Sequence, residues 1–290
     1  MSKVIRAITK DRKAILFVMD STDIVEQATT IHNLPPIPAA ALGRLLTAAS
    51  MMGLMLKSED HTVSLQIQCN GVLRGLVAVA DSQGNVKGYV KNKEVITEIN
   101  KLGKLNVKGA IGNGTLTVIK DLKLKEPYIG QIQLVSGEIA EDITHYFAIS
   151  EQTPSAVALG VLIDKDLKIV SAGGMIIQLL PDADNKFIEL VEQRIRGLSN
   201  FSKILKEKDV DTIAKDIFED IDYEILNEYN PTYKCDCSYE KAKTLITLLN
   251  DDEINDQEDI EIVCSFCEKK YIISREEAIK IKNIEKNEEK

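Results

Sequence analysis

Val63-Ser64-Leu65-Gln66-Ile67-Gln68-Cys69-Asn70-Gly71 alternates apolar and polar residues and then ends on Asn-Gly. Alternation with a period of two places Val63, Leu65, Ile67 and Cys69 on one face of a strand, and Asn-Gly tolerates the positive φ angles of a hairpin turn. The pattern continues outward in both directions. Downstream, residues 73–80 read as a return strand, Asp81-Ser82-Gln83-Gly84-Asn85 as a turn and residues 86–90 as a third strand, with further strands at 115–119 and 131–135. Upstream, residues 4–8 and 14–19 flank the turn Lys10-Asp11-Arg12. Hairpins joined by short turns favour an antiparallel sheet with helices packed on it, which is an α+β fold.

The helices are read from their spacing. Ser21 can cap a helix carrying Ile24, Val25, Ala28 and Ile31; Pro35-Pro36-Ile37-Pro38 breaks the chain; and residues 39–56, rich in Ala, Leu and Met, form a second helix. Residues 137–149 and 154–161 are expected to be helical, and Gly173-Gly174 to turn the chain before a strand at 175–180. Pro181-Asp182-Ala183-Asp184-Asn185 is polar and rich in turn formers, so it marks a boundary. Beyond it Ile188, Val191, Ile195 and Leu198, and then Val210, Ile213, Ala214, Ile217, Phe218 and Ile221, recur at helical period opposite heavily charged faces. Such helices must dock their apolar stripes on a neighbour. With a second boundary at Asn230-Pro231, the expected organisation is a core domain at 1–180, an amphipathic helical linker at 181–231 and a small C-terminal domain at 232–290, whose charged end from Ile279 onward is expected to fray.

The bulk numbers restrict the function. The chain has 290 residues, 44% hydrophobic and 28% charged, enough for a sizeable core. A net charge of −9 argues against a nucleic-acid partner, which would need a basic footprint. No secretory h-region follows the first basic residues. The longest apolar stretch, residues 39–56, is interrupted by Gly43, Arg44 and Gly53 and is short for a membrane span. A cytoplasmic location with no membrane partner is therefore expected, and in that reducing compartment closely spaced cysteines bind metal or do redox chemistry more often than they form structural disulfides.

Cys69 is the single cysteine among the first 234 residues; the other four form two close pairs, Cys235-Asp236-Cys237 and Cys264-Ser265-Phe266-Cys267. Two pairs separated by a short segment match the spacing of an all-cysteine zinc site, in which four thiolates complete a tetrahedron and leave no position for substrate water. The intervening segment fits. Ser238 can cap a helix carrying Ala242, Leu245, Ile246 and Leu249, Asn250-Asp251-Asp252 stops it, residues 260–263 and 271–273 read as paired strands, and Ser274 with Glu277 forms a capping box for a last helix. A purely structural zinc knuckle and a thiol redox sensor are both compatible with this spacing. The first pair favours the sensor: Cys235 and Cys237 are one residue apart, whereas structural ribbons mostly use Cys-x-x-Cys twice. Thiolates already deprotonated by metal are primed for oxidation. Structural zinc supplies about 10–16 kcal/mol of folding energy, comparable to the whole stability of a typical domain at about 5–15 kcal/mol, so oxidation of either pair should unfold the small domain.

Cys235-x-Cys237 with Cys264-x-x-Cys267 at the end of a chain of this length resembles the 33-kDa heat-shock protein family of redox-regulated holdase chaperones. Ser150-Glu151-Gln152-Thr153-Pro154-Ser155, Ala172-Gly173-Gly174-Met175 and Gly43-Arg44-Leu45-Leu46-Thr47-Ala48 are similar to further stretches of that family. The resemblance implies one zinc ion held by Cys235, Cys237, Cys264 and Cys267 in a reduced, inactive state. It further implies an oxidised, zinc-free, active state with disulfides Cys235–Cys237 and Cys264–Cys267. In that state the linker would be disordered, an apolar surface exposed, and unfolding client proteins held without ATP by a chain that tends to form a homodimer. It implies no catalytic residue and no enzyme activity.

Other features have plainer readings. Cys69 is expected to be a buried small hydrophobe, and Met51, Met52 and Met55 to pack in the core rather than form a client surface. Gly112-Asn113-Gly114 precedes a strand-like run, so it reads as a hairpin turn and not a phosphate loop. His32, His61 and His145 are scattered and match no metal or acid–base pattern. Two alternative functions stay open: a thiol oxidoreductase or zinc hydrolase, and a zinc-ribbon module that binds protein or nucleic acid. Lys269-Lys270-Tyr271-Ile272-Ile273 continues as a strand where a thioredoxin-like site needs a helix, which weakens the first; the acidic balance weakens the second.

Overall fold

A computed structural model describes residues 1–95, 105–198, 200–255 and 258–288. Contacts divide the chain into two units, Met1–Lys234 and Cys235–Lys290.

The first unit is built in chain order from β1 (Lys3–Thr9), β2 (Ala14–Asp20), α1 (Thr22–His32), α2 (Pro36–Gly53), β3 (Thr62–Cys69), β4 (Gly75–Asp81), β5 (Val86–Val90), α3 (Val107–Ile111), β6 (Gly114–Asp121), β7 (Tyr128–Gln133), α4 (Ala140–Ile149), β8 (Ser155–Ile163), β9 (Ile169–Leu179), α5 (Asn185–Arg196), α6 (Phe201–Glu207), α7 (Val210–Phe218) and β10 (Tyr223–Tyr229). The strands form two antiparallel sheets, ordered β10-β1-β2-β9-β8 and β5-β4-β3-β6-β7. The alternation of residues 63–69 is realised in β3, where Leu65 sits opposite Ala78 and Val118, and Ile67 opposite Leu76 and Leu116. Every residue of α2 except Arg44 is buried, because the helix packs on β3, β4 and β5 of one sheet and on β8 and β9 of the other. A helix apolar on all sides belongs between two layers. Met51 and Met52 are part of that core.

The expected helix at 154–161 is a strand, β8, and Gly173-Gly174 is no turn but lies inside β9. β8 has helices on its surface, so its sequence is apolar throughout and shows no alternation; periodicity cannot separate such a strand from a buried helix. The glycines mark close approach. Gly160 of β8 pairs with Gly173 of β9, and α6 rests on both: a Cβ on Gly160 would lie 2.7 Å from the Ser202 nitrogen, and one on Gly173 would lie 2.6 Å from a Leu205 methyl. Gly112-Asn113-Gly114 leads out of α3 into β6 rather than joining two strands.

The helices beyond residue 184 behave as their stripes require. Asp184 caps α5 by accepting from the Phe187 N–H at 3.0 Å, and Asp209 caps α7 by accepting from Thr212 at 2.8 Å. Phe187, Val191, Phe201, Leu205, Ile213, Ile217 and Phe218 form one apolar cluster with Ile5, Leu16, Val18, Met175 and Ile177 of the first sheet. Each such side chain contributes roughly 1.5–3 kcal/mol by burial. The segment expected to be wholly helical ends in a strand: β10 adds to the edge of β1, with a register shift between Arg6 and Ala7. Its sequence, Tyr-Glu-Ile-Leu-Asn-Glu-Tyr, lacks strict alternation and is mostly exposed, which hid it.

The second unit contains α8 (Tyr239–Lys243), a 3-10 turn (Thr244–Leu248), α9 (Asp251–Asn255), β11 (Asp259–Val263), β12 (Lys270–Ser274) and α10 (Arg275–Glu288). Ser238 caps α8, and Ser274 accepts from the Glu277 N–H at 3.3 Å to start α10. Asn250-Asp251-Asp252 leads into α9, and α10 carries the expected frayed end in helical form as far as Glu288; the last two residues lie outside the described residues. Ile246, Ile254, Ile260, Ile273 and Ala278 make up its buried cluster. That is little core for a unit of this length.

Candidate metal centre

Two loops carry the cysteines. Cys235 and Cys237 lie on the extended stretch before Ser238, while Cys264 and Cys267 lie on the tight turn between β11 and β12. That turn is closed by backbone bonds: Cys264 N–H donates to Lys269 O at 2.9 Å, and the N–H groups of Cys267 and Glu268 donate to Cys264 O at 3.3 and 2.8 Å. Glu268 takes a φ of 58° to complete it. The β11–β12 ladder, with Ile260 opposite Ile273 and Ile262 opposite Tyr271, holds the turn rigidly.

The four Sγ atoms all lie within 4.8 Å of one another, and none is in a disulfide. Cys235 Sγ is 3.7 Å from Cys264 Sγ, and Cys237 Sγ is 3.4 Å from Cys267 Sγ. Zinc–thiolate bonds of about 2.3 Å in a tetrahedron separate sulfurs by about 3.8 Å, so this donor set has the size and softness for such an ion. All four cysteines are partly buried.

Neighbours that spacing alone does not reveal complete the site. The Tyr271 hydroxyl donates to Cys237 Sγ at 3.1 Å. Burial pushes the Cys237 thiol up, but the Tyr271 hydroxyl and the adjacent sulfurs outweigh it and hold it down at about 7. The same bond pushes the Tyr271 phenol up to about 12. Burial pushes the Cys235 and Cys267 thiols the other way, upward. A dication bound among four thiolates would gain four anionic ligands. Lys241 donates to the Asp236 carbonyl at 3.0 Å and pairs with its carboxylate, bracing the first loop. Tyr239 donates to Glu277 at 2.7 Å and its ring lies tilted at 57° to that of Tyr271, 6.4 Å between centroids, with Lys269 over the Tyr271 ring. Tyr271 reads in the sequence only as a strand residue; its position opposite Ile262, facing the unit's interior, is what aims it at the sulfur.

Cys69 sits at the end of β3, partly buried against the core, and burial raises its thiol. His32, His61 and His145 take no part in the cluster. Among the described residues no helix is long and apolar enough to cross a membrane.

Comparison with known proteins decides the family. The sequence model described as "Hsp33 protein" matches residues 2–274. The chain belongs to the Hsp33 family. Among its Hsp33 relatives, the 33 kDa chaperonin of Clostridium novyi (strain NT) is 43% identical over 291 residues, covering 98% of this chain and 99% of that one. The 33 kDa chaperonin of Clostridium perfringens (strain 13) is 46% identical over 286 residues, covering 96% of this chain and 90% of the relative. The crystal structure of the 33 kDa chaperonin from Thermotoga maritima superposes with a TM-score of 0.90 at 35% identity, covering 98% of this chain and 99% of that one. The α+β architecture with its C-terminal cysteine cluster is thus the Hsp33 architecture.

Proposed function

We propose that this chain is a redox-regulated, ATP-independent holdase: it binds unfolding proteins and catalyses no reaction. The observation that carries the reading is the convergence of Cys235, Cys237, Cys264 and Cys267 in a unit with almost no core of its own. A zinc ion bound there would be a structural cross-link, because four thiolates leave no open coordination site. In the reduced state that cross-link holds residues 232–290 folded and the chain inactive.

Oxidation removes the ligands. A thiolate attacks hydrogen peroxide to give a sulfenic acid and hydroxide; the second thiolate of the pair displaces hydroxide from that sulfur and forms the disulfide. Each pair thereby gives two electrons to one peroxide. The pairing assigned, from the family resemblance, is Cys235–Cys237 and Cys264–Cys267. With two or more of Cys235, Cys237, Cys264 and Cys267 oxidised, the site would no longer hold a zinc ion, and the folding energy such an ion would supply would be lost. Residues 181–231 then come off the first sheet and bare the apolar cluster built on Ile5, Leu16, Val18, Met175 and Ile177, in the core domain at 1–180. The active form pairs into a homodimer. A cytoplasmic location suits a thiol switch that starts reduced.

The experiment is zinc content, thiol count and far-UV circular dichroism before and after peroxide with mild heating, run beside suppression of aggregation of a chemically unfolded client. One zinc, four thiols and helical signal are lost together, and client protection appears with them. Retention of zinc, or zinc loss with no client protection, rules the reading out.

A further inference from the structure

The last residues of the first unit fill a slot on its second sheet. β5 is an outer strand of that sheet, and residues 231–234 lie along its outer side in the parallel sense. Val86 N–H donates to the Thr232 carbonyl at 3.0 Å, and Lys234 N–H donates to the Val86 carbonyl at 2.9 Å. The Thr232 N–H and hydroxyl both donate to Asn85 Oδ1, at 3.2 and 3.1 Å. Pro231 and Tyr233 point inward and are buried, while Thr232 and Lys234 face out. Tyr233 is only 6% exposed. Its hydroxyl donates to the Gly88 carbonyl at 2.9 Å, accepts from the Gly88 N–H at 3.3 Å and lies 3.2 Å from His32 Nε2.

This is addition of a strand to a sheet edge, with main-chain bonds supplying attraction and a side-chain pocket supplying selectivity. The occupant belongs to the same chain, but its main-chain bonds to Val86 and its aromatic anchor are not particular to that chain. Val86 offers a donor and an acceptor to any extended backbone, and the pocket reads an aromatic ring with a polar tip. The occupant is short, held by two main-chain bonds to Val86, the Thr232 bonds to Asn85 and one anchor, so its hold depends on the tether that keeps it close. Tyr233 stands two residues before Cys235, so one short stretch serves both the slot and the sulfur cluster.

We propose that the slot along β5 is a peptide-binding site, which takes an extended, tyrosine-bearing segment of an unfolded polypeptide when residues 231–234 withdraw. The identity of the partner rests on the holdase reading; the existence of the site does not.

The test titrates a fluorescein-labelled peptide with the sequence of residues 229–234, Tyr-Asn-Pro-Thr-Tyr-Lys, onto the full chain by fluorescence anisotropy. Three forms are compared: reduced zinc-loaded wild type, reduced zinc-loaded Tyr233→Ala, and peroxide-oxidised wild type. Tyr233→Ala empties the pocket without any redox step. It is expected to bind the peptide at least about tenfold tighter than reduced wild type, the scale of a buried aromatic anchor, and a peptide with alanine as its fifth residue should lose that gain. Oxidised wild type should match the variant, with bound peptide slowing amide exchange at residues 86–90. Equal binding to all three forms, or equal binding of the alanine peptide, overturns the site. Where circular dichroism shows the variant misfolded, exchange at residues 86–90 in the oxidised wild type decides alone. Client protection without peptide protection of residues 86–90 removes the slot and leaves the holdase. Peptide binding to Tyr233→Ala in a chain that peroxide does not activate keeps the slot and removes the switch.

Discussion

Gly160→Ala is a wedge that acts between the sheet and the linker helices. The added Cβ would stand 2.7 Å from the Ser202 nitrogen, 2.9 Å from Ser202 Cβ and 3.0 Å from Ser202 Oγ, so its three nearest neighbours all belong to α6. Comfortable contact between such atoms needs about 3.5 Å or more. α6 must therefore back away by several tenths of an ångström, stretching the 2.6 Å hydrogen bond from Ser171 Oγ to the Ser202 carbonyl. Overpacking of this kind costs about 1–3 kcal/mol. If all of it falls on the docked state, the population with the helices released rises by about fivefold to 150-fold, at 1.4 kcal/mol per factor of ten. Gly173→Ala is no substitute, because its Cβ would also meet the Met19 carbonyl at 2.2 Å and break the sheet itself. The assay is amide hydrogen exchange on reduced, zinc-loaded protein, which reads local opening directly. Amides of α6 and α7 should exchange faster by that factor while β1 and β2 stay protected, and client protection should appear without oxidant. Unchanged exchange in α6 and α7, or loss of protection in β8 and β9 instead, would mean that the strand yields and not the helix, and the wedge account would fail.

Tyr271→Phe removes the hydroxyl that donates to Cys237 Sγ. Loss of an outer-shell hydrogen bond lowers metal affinity by about 10–100-fold, and chelator competition should show it; an unchanged affinity refutes a role for the phenol. Mass-spectrometric mapping of the oxidised chain should find Cys235–Cys237 and Cys264–Cys267. Bridges following the two short sulfur contacts, Cys235 to Cys264 and Cys237 to Cys267, would instead mean that oxidation traps the folded cluster. Asp142 is fully buried and accepts from the backbone N–H groups of Val135, Ser136 and Ile139 at 2.7, 3.0 and 3.0 Å. Asp142→Ala orphans three donors and should lower stability to urea by roughly 3–5 kcal/mol; a loss below about 1 kcal/mol would show that water replaces the carboxylate.

What the sequence disclosed depended on how many faces of an element are covered. β3 has one buried and one open face, so its alternation spells out strand, face and partner. The stripes of α5 and α7 likewise announce that they must dock. β8 is apolar on both faces and carries no period at all, and β10 is an exposed edge whose stability comes from main-chain bonds to β1, which leave no trace in side-chain type. The glycines of β8 and β9 spell a turn in isolation because nothing local says that a helix will lie on them. At the candidate metal centre the clustered sulfurs were legible from spacing, since two loops must each present two donors. Tyr271 and the Asp236–Lys241 brace were not, because which atom a strand residue reaches is settled by the β11–β12 register.

β10 completes the margin of a sheet, and a margin that loses its last strand is an unfinished seam. Departure of the linker would uncover main-chain donors and acceptors along β1 as well as the side chains beneath the helices. Two released copies that stitch those seams together satisfy both at once, and a pair related by twofold symmetry has no further β1 edge to offer. A chain that opened in this way would thus be steered toward a closed couple instead of an endless fibre.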